Sequence, residues 1–111
     1  MTAGNILTQR ASLSDLDIQR LVRSENADDR AVATHKVCRL MERRALSDSE
    51  RAAAQDIVRM LAHDAAELVR RALAVTLRAS DLLPHDVAMK LAQDAVSVAA
   101  PVISHSPLFS D

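Results

Sequence analysis

The stretch Leu61-Ala62-His63-Asp64-Ala65 returns thirty positions later as Leu91-Ala92-Gln93-Asp94-Ala95. A period of this size is typical of stacked helical units, because a single helix pair cannot bury its apolar face alone. The repeated pentapeptide therefore predicts a short solenoid of helix pairs. Folds of this kind usually present a binding surface.

The amino-acid composition favours an all-α fold. The 111-residue chain is 49% apolar and only 1% aromatic, with one Gly and three Pro. Ala, Leu and Arg are strong helix formers, and the residues that punctuate strands and hairpins are scarce. A chain of this length has room for one core. We therefore expect one helical domain over residues 14–111, after a flexible N-terminus at 1–13.

Capping residues divide the chain into six predicted helices. Ser47 opens the clearest capping box, with Glu50 three residues later, and Asn26, Asp64 and Asp94 each stand at a predicted helix start. The predicted pairs are 15–24 with 27–43, 48–63 with 65–79, and 84–93 with 95–104. Three consecutive αα-hairpins make a short right-handed superhelical solenoid. Pro101, inside the last helix, is expected to kink that helix or end it early.

The C-terminal third carries a family resemblance. It lies in the run Leu83-Pro84 … Val87-Ala88 … Leu91-Ala92-Gln93-Asp94 … Val96-Ser97-Val98-Ala99 … Pro101-Val102-Ile103 … Ser106-Pro107 … Ser110-Asp111. This run resembles an alphaproteobacterial family of domains of unknown function built from HEAT-like repeats. Asp64 followed by Val69-Arg70-Arg71-Ala72-Leu73-Ala74 is similar to the preceding repeat of that family.

The resemblance covers about residues 14–111 and implies a HEAT-like solenoid. Members of the family are longer, so the chain resembles the N-terminal portion of such a domain and is expected to be truncated at its C-terminus. The family has no assigned catalytic residues, and the resemblance therefore implies none here.

Catalytic and metal sites are weakly supported. His35 and Cys38 are three residues apart on one predicted helix, where they could act as base and nucleophile. No carboxylate to orient His35 is evident, and free cysteines are commonly buried. The pairs His63-Asp64 and His85-Asp86 lack the i, i+4 spacing of helical metal ligands. We expect no enzyme activity, no metal, no other cofactor and no small-molecule substrate.

Basic residues concentrate in the middle of the chain. Residues 36–78 carry nine basic and six acidic groups, against four and five before them and one and four after them. Twelve of the fourteen basic residues are Arg, whose planar fork binds carboxylate or phosphate in a bidentate way. Stacked second helices are predicted to align Arg39, Arg43, Arg70, Arg71 and Arg78 as one stripe. The simpler alternative is a solvated face with local pairs from Glu67.

Two function classes remain. We favour a non-catalytic protein-protein interaction module with an apolar C-terminal end, which contacts a protein partner or a second copy in a dimer. The residues expected at that end are Val102, Leu108 and Phe109. The alternative is a nucleic-acid-binding module that uses the arginine stripe on phosphates. The net charge of −1 and the single aromatic residue weigh against it.

The cysteine count and the N-terminal sequence indicate the cellular compartment. One cysteine permits no intrachain disulfide, which favours a reducing environment. Residues 1–15 have the pattern of neither a signal peptide nor a membrane span. We therefore expect a cytoplasmic bacterial protein with no membrane partner.

Overall fold

A computed structural model describes residues 24–105, which form five helices. These residues contain no strand, so the all-α prediction is confirmed. The helices are α1 (Ala27–Arg43), α2 (Asp48–Ala62), α3 (Glu67–Leu77), α4 (His85–Ala92) and α5 (Val96–His105). The helix predicted over 15–24 lies outside the described residues, apart from its last position. The radius of gyration is 13.4 Å, close to the roughly 13 Å expected of a compact chain of this size.

The first two helices begin at side-chain caps. Asn26 Oδ1 accepts hydrogen bonds from the backbone N–H groups of Asp28 at 2.8 Å and Asp29 at 3.3 Å. Ser47 Oγ accepts the N–H of Glu50 at 3.3 Å, and the Glu50 carboxylate accepts the N–H of Ser47 at 3.0 Å. These bonds satisfy donors that the first helical turn leaves without partners. They explain why α1 and α2 begin where the local sequence predicts.

Asp64 and Asp94 occupy the turns before α3 and α5 rather than ordinary cap positions. The N-cap of α3 is Ala66, which makes no side-chain bond, and α3 begins two residues later than predicted. Asp64 Oδ1 accepts the N–H of Ala66 at 2.8 Å, and Asp94 Oδ1 accepts the N–H of Ala95 at 2.7 Å. Each carboxylate also faces an arginine of another helix, which explains its place in the turn.

Helix packing arranges the five helices in two rows. In one row α3 lies between α1 and α5, and in the other α2 contacts α4. The rows meet where α2 packs against α3 and where α4 packs against α5. Fully buried side chains from every helix form one core, among them Val37, Met41, Val58, Leu61, Leu73, Leu77, Leu91 and Val98. Buried alanines such as Ala54 and Ala74 let the backbones approach closely, so the core forms with almost no aromatic volume.

The last helix continues through Pro101 to His105, so of the two outcomes predicted for Pro101, a kink or an early end, the early end is wrong. Val98 and Val102 lie on either side of Pro101, and burial of both holds this turn helical despite the missing N–H. Val102 is 0% exposed, so its expected place on an open apolar end is wrong. Leu108 and Phe109 lie outside the described residues.

Candidate functional site

Two arginine–aspartate pairs join successive helices of the longer row. Arg30 of α1 donates to Asp64 through Nε at 3.1 Å and Nη2 at 3.0 Å, and through Nη1 to the carbonyl of Ser24 at 2.7 Å. Arg70 of α3 repeats the arrangement, donating to Asp94 at 2.6 and 3.1 Å and to the carbonyl of Asp64 at 2.7 Å. Each arginine thus links the turn before its own helix to the turn before the next helix in the row.

Because Arg70 is paired with Asp94, it does not contribute a free cationic group to the predicted stripe. The Arg70 and Asp94 side chains are 17% and 11% exposed, and their charges are matched in a bidentate pair. The hydrogen bond from Arg70 lowers the pKa of Asp94 below its ordinary value. Burial alone would raise the pKa of Asp64, but hydrogen bonds from Arg30 and the Ala66 N–H hold it below its usual range. In the sequence, each of these arginines lies six positions after a turn residue, since Arg30 follows Ser24 and Arg70 follows Asp64. This spacing is the sequence signal that the two pairs share.

Four of the predicted stripe residues remain on the surface. Arg39 and Arg43 of α1, and Arg71 and Arg78 at α3, are exposed and make no ion pair among residues 24–105. We call them the four open arginines. On α1, Arg39 and Arg43 follow Val32 at i+7 and i+11, so the three side chains share one helical face. Arg71 of α3 and Arg78, the residue that follows the last position of α3, are likewise seven positions apart.

A groove between α1 and α3 lies beside these arginines. Ala31, Val32 and His35 line it from α1, and Leu68, Arg71, Ala72 and Val75 line it from α3. It is an open groove with a volume of about 380 Å³, and its walls are mainly aliphatic. Val32 is 68% exposed although it is a large apolar residue. A hydrogen bond of 2.9 Å between His35 Nδ1 and Thr76 Oγ1 ties the two helices together beside the groove. We call this feature the α1–α3 groove.

The charge around the α1–α3 groove changes sign along the helix axes. Contacts progress in the same direction along both helices, from Arg30–Asp64 to His35–Thr76, so α1 and α3 run parallel. The first turn of α1 carries carboxylates at Asp28 and Asp29, whereas the Glu67 carboxylate of α3 accepts a hydrogen bond from Ser97 of α5 at 2.7 Å. The opposite end carries Arg39, Arg43 and Arg78 together with Glu42. The groove therefore has an acidic end at α1, an apolar middle with Arg71 in its wall, and an end with net positive charge.

A second depression lies over the turns before α3 and α5. It is lined by His63, Asp64, Arg70, Lys90, Gln93 and Asp94 and is polar. Its polar groups already have partners, because Arg70 pairs with Asp94 and the Asp64 carboxylate pairs with Arg30. The depression is therefore a consequence of the structural pairs and offers a ligand few groups.

The possible catalytic and metal residues do not assemble into a site. Cys38 is fully buried, and burial raises the pKa of its thiol to about 12. His35 is exposed and bonded to Thr76, so the two residues form no nucleophile–base pair. Over residues 24–105, no group of three His, Cys, Asp or Glu side chains could hold a metal ion. In the same range no helix has the length and apolarity needed to cross a membrane.

Comparison with protein-family models, with curated proteins and with solved structures finds no match to this chain. The resemblance to a HEAT-like family therefore stays a prediction. The function proposed below rests on the geometry of the α1–α3 groove and its surroundings.

Proposed function

We propose that this chain is a non-catalytic protein-protein interaction module and that the α1–α3 groove is its binding surface. The observation that carries the proposal is the exposure of Val32, Leu68 and Val75 side by side in a groove between two packed helices. Grooves between helices bind the apolar face of a partner segment, because the partner removes this surface from water. The four open arginines supply charge around the apolar centre.

The helix arrangement supports a right-handed HEAT-like solenoid as the scaffold of this module. The two rows of helices and the repeated Arg30–Asp64 and Arg70–Asp94 pairs are features expected of stacked, similar units. Such scaffolds hold binding side chains on rigid helices, which limits the ordering cost of association. A cytoplasmic bacterial location, with a protein or a second copy as partner, is part of the same proposal.

Nucleic-acid binding is the alternative, and the four open arginines favour it. Phosphate contacts require a continuous cationic surface, however, and Arg70 is engaged by Asp94. The middle of the groove is aliphatic, and the whole chain has one aromatic residue for base stacking. These features favour a protein partner over a polyanion.

Site-specific photo-crosslinking in the source cells tests the proposal. A photoreactive amino acid replaces Val75 in the groove, and in a matched control it replaces Ala53, which is exposed on α2 in the other row. We expect Val75 to yield a discrete protein adduct that persists after nuclease treatment and that Ala53 does not give. Equal adducts at both positions would refute the groove as the binding surface. An adduct removed by nuclease would support the nucleic-acid alternative.

A further inference from the structure

Among the surfaces of residues 24–105, the α1–α3 groove combines an apolar centre with a change of charge along its length. The exposed side chains of Val32, Leu68 and Val75 favour a binding partner with an apolar surface. Arg71 lies in the wall of the groove, and Arg39, Arg43 and Arg78 place three further cationic groups at one end, where they favour acidic groups on the occupant. These two features define the chemistry of a partner more narrowly than the proposed function does.

From this pattern we infer that the groove binds an amphipathic α-helix whose acidic end lies against Arg39, Arg43 and Arg78. The inference rests on the proposed function and names its partner class. The described part of the chain has no strand edge to which an extended peptide could add, whereas a third helix can lie between two parallel ones. Arginine forks match carboxylates in a bidentate geometry, which favours Glu and Asp on the partner.

Dimensions set the length of the partner helix. Val32 and Arg43 are separated by eleven positions of α1, or about 16 Å along the axis at about 1.5 Å per residue. A helix of about 15 residues can therefore cover the apolar centre and still reach the basic end. It requires apolar residues at i, i+3, i+4 and i+7 on one face.

The acidic end of the groove fixes the direction of the partner. Asp28 lies four positions before Val32, on the same face of α1, and repels carboxylates placed there. Helices commonly carry acidic residues in their first turn, where these favour the positive end of the helix dipole. A partner with an acidic first turn therefore lies antiparallel to α1 and α3, with its N-terminus beside Arg39 and Arg43.

Synthetic helical peptides of about 15 residues test this inference directly. The first carries leucines on one face and glutamates in its first turn, and the second replaces those glutamates with lysines. The third keeps the glutamates but replaces the leucines with glutamines. Fluorescence anisotropy measures binding of each to the full chain, and a DNA duplex of about 15 base pairs is the polyanion probe.

We expect the Glu–Leu peptide to bind about tenfold or more tightly than the Lys–Leu peptide at low salt, because several exposed ion pairs act together. The difference is expected to shrink at high salt, where surface charges are screened. The Glu–Gln peptide is expected to bind much more weakly, since it lacks the apolar face. Equal binding of the Glu–Leu and Lys–Leu peptides would overturn the inference. Tighter binding of the DNA duplex than of any peptide would also overturn it.

Charge-swap variants test whether the arginines at the groove, rather than the net charge of the protein, determine which peptide binds. Arg39→Glu with Arg43→Glu is expected to reverse the preference, so that the Lys–Leu peptide binds more tightly. The control, Arg51→Glu with Arg59→Glu, makes the same charge change on α2 but also breaks the Arg51–Asp81 and Arg59–Asp86 pairs, and it is expected to keep the original preference. Circular dichroism verifies that both variants remain helical. An unchanged preference in the Arg39 and Arg43 variant contradicts the inference.

A spin label on the first turn of the Glu–Leu peptide tests the direction. We expect it to broaden the amide signals of Arg39 to Arg43 and to spare those of Asp28 and Asp29. The reverse pattern contradicts the predicted orientation. If Val75 crosslinks to a protein but the peptides show no charge preference, the inference fails while the proposed function survives. If Val75 and Ala53 crosslink equally, the proposed function itself fails.

Discussion

The pair between Arg70 and Asp94 is expected to be a main stabilising contact between α3 and α5. Exposed ion pairs typically contribute about 0.2–1 kcal/mol, whereas removing one partner of a fully buried pair costs about 3–5 kcal/mol. The Arg70 and Asp94 side chains are 17% and 11% exposed and bonded at 2.6 and 3.1 Å, which places the pair between these limits. We therefore expect Asp94→Ala to lower the free energy of unfolding by about 2–3 kcal/mol.

A double-mutant cycle with Arg70→Met and Asp94→Ala isolates the interaction. Urea unfolding at neutral pH is the assay, and with a slope of about 1–3 kcal/mol per M the single variants are expected to lower the midpoint by about 1 M or more. We expect a coupling energy of about 1.5 kcal/mol between the two residues. Arg59 and Asp86 form the matched control, since they make a similar bidentate pair, at 3.1 and 3.2 Å, that is exposed. Equal coupling energies in the two cycles would refute the argument that burial strengthens the Arg70–Asp94 pair.

The same pair predicts how stability depends on pH. Arg70 lowers the pKa of Asp94, so the folded protein holds this carboxylate ionised at pH values where the unfolded chain protonates it. Its contribution is therefore fully present above the ordinary carboxyl pKa of about 3.9 and is lost as pH falls through the lower folded-state value. Asp94→Asn keeps an acceptor for the Ala95 N–H but removes the charge. We expect the stability difference between wild type and Asp94→Asn to shrink in acid, and a constant difference down to pH 2 would contradict this linkage.

Three further predictions concern single residues or the C-terminal end. Cys38 is expected to resist a thiol-reactive disulfide reagent in the native state and to react at the rate of unfolding, because its buried thiol has a pKa of about 12; rapid native labelling would contradict its burial. Pro101→Ala is expected to raise the melting temperature, since the restored N–H can donate to the Ser97 carbonyl and Pro costs about 3 kcal/mol in a helix interior; an unchanged or lower value would show that the proline ring packs favourably. Leu108→Asp with Phe109→Asp is expected to convert a dimer to a monomer in sedimentation equilibrium without loss of helicity, whereas a wild type that stays monomeric at high concentration would argue against self-association through this end.

Local sequence patterns were sufficient to place most of the helices. Asn26 and Ser47 cap α1 and α2 through bonds to residues no more than three positions away, so their effect is visible in the sequence itself. Val37 and Met41 of α1 are buried four positions apart, a helical spacing of apolar residues that is visible in the sequence alone. The start of α3 was less predictable, because Asp64 divides its hydrogen bonds between its own turn and an arginine on another helix.

Only the tertiary structure separated structural arginines from surface ones. Arg70 and Arg71 are neighbours with the same chemistry, and helical geometry turns their side chains about 100° apart. The position of Asp94, twenty-four residues away, decides that Arg70 pairs and Arg71 stays exposed. Val102 is buried for the same kind of reason, since α5 packs against α3 and α4. Capping and periodicity act over one helical turn and can be inferred from the sequence, whereas the α1–α3 groove depends on how distant helices pack.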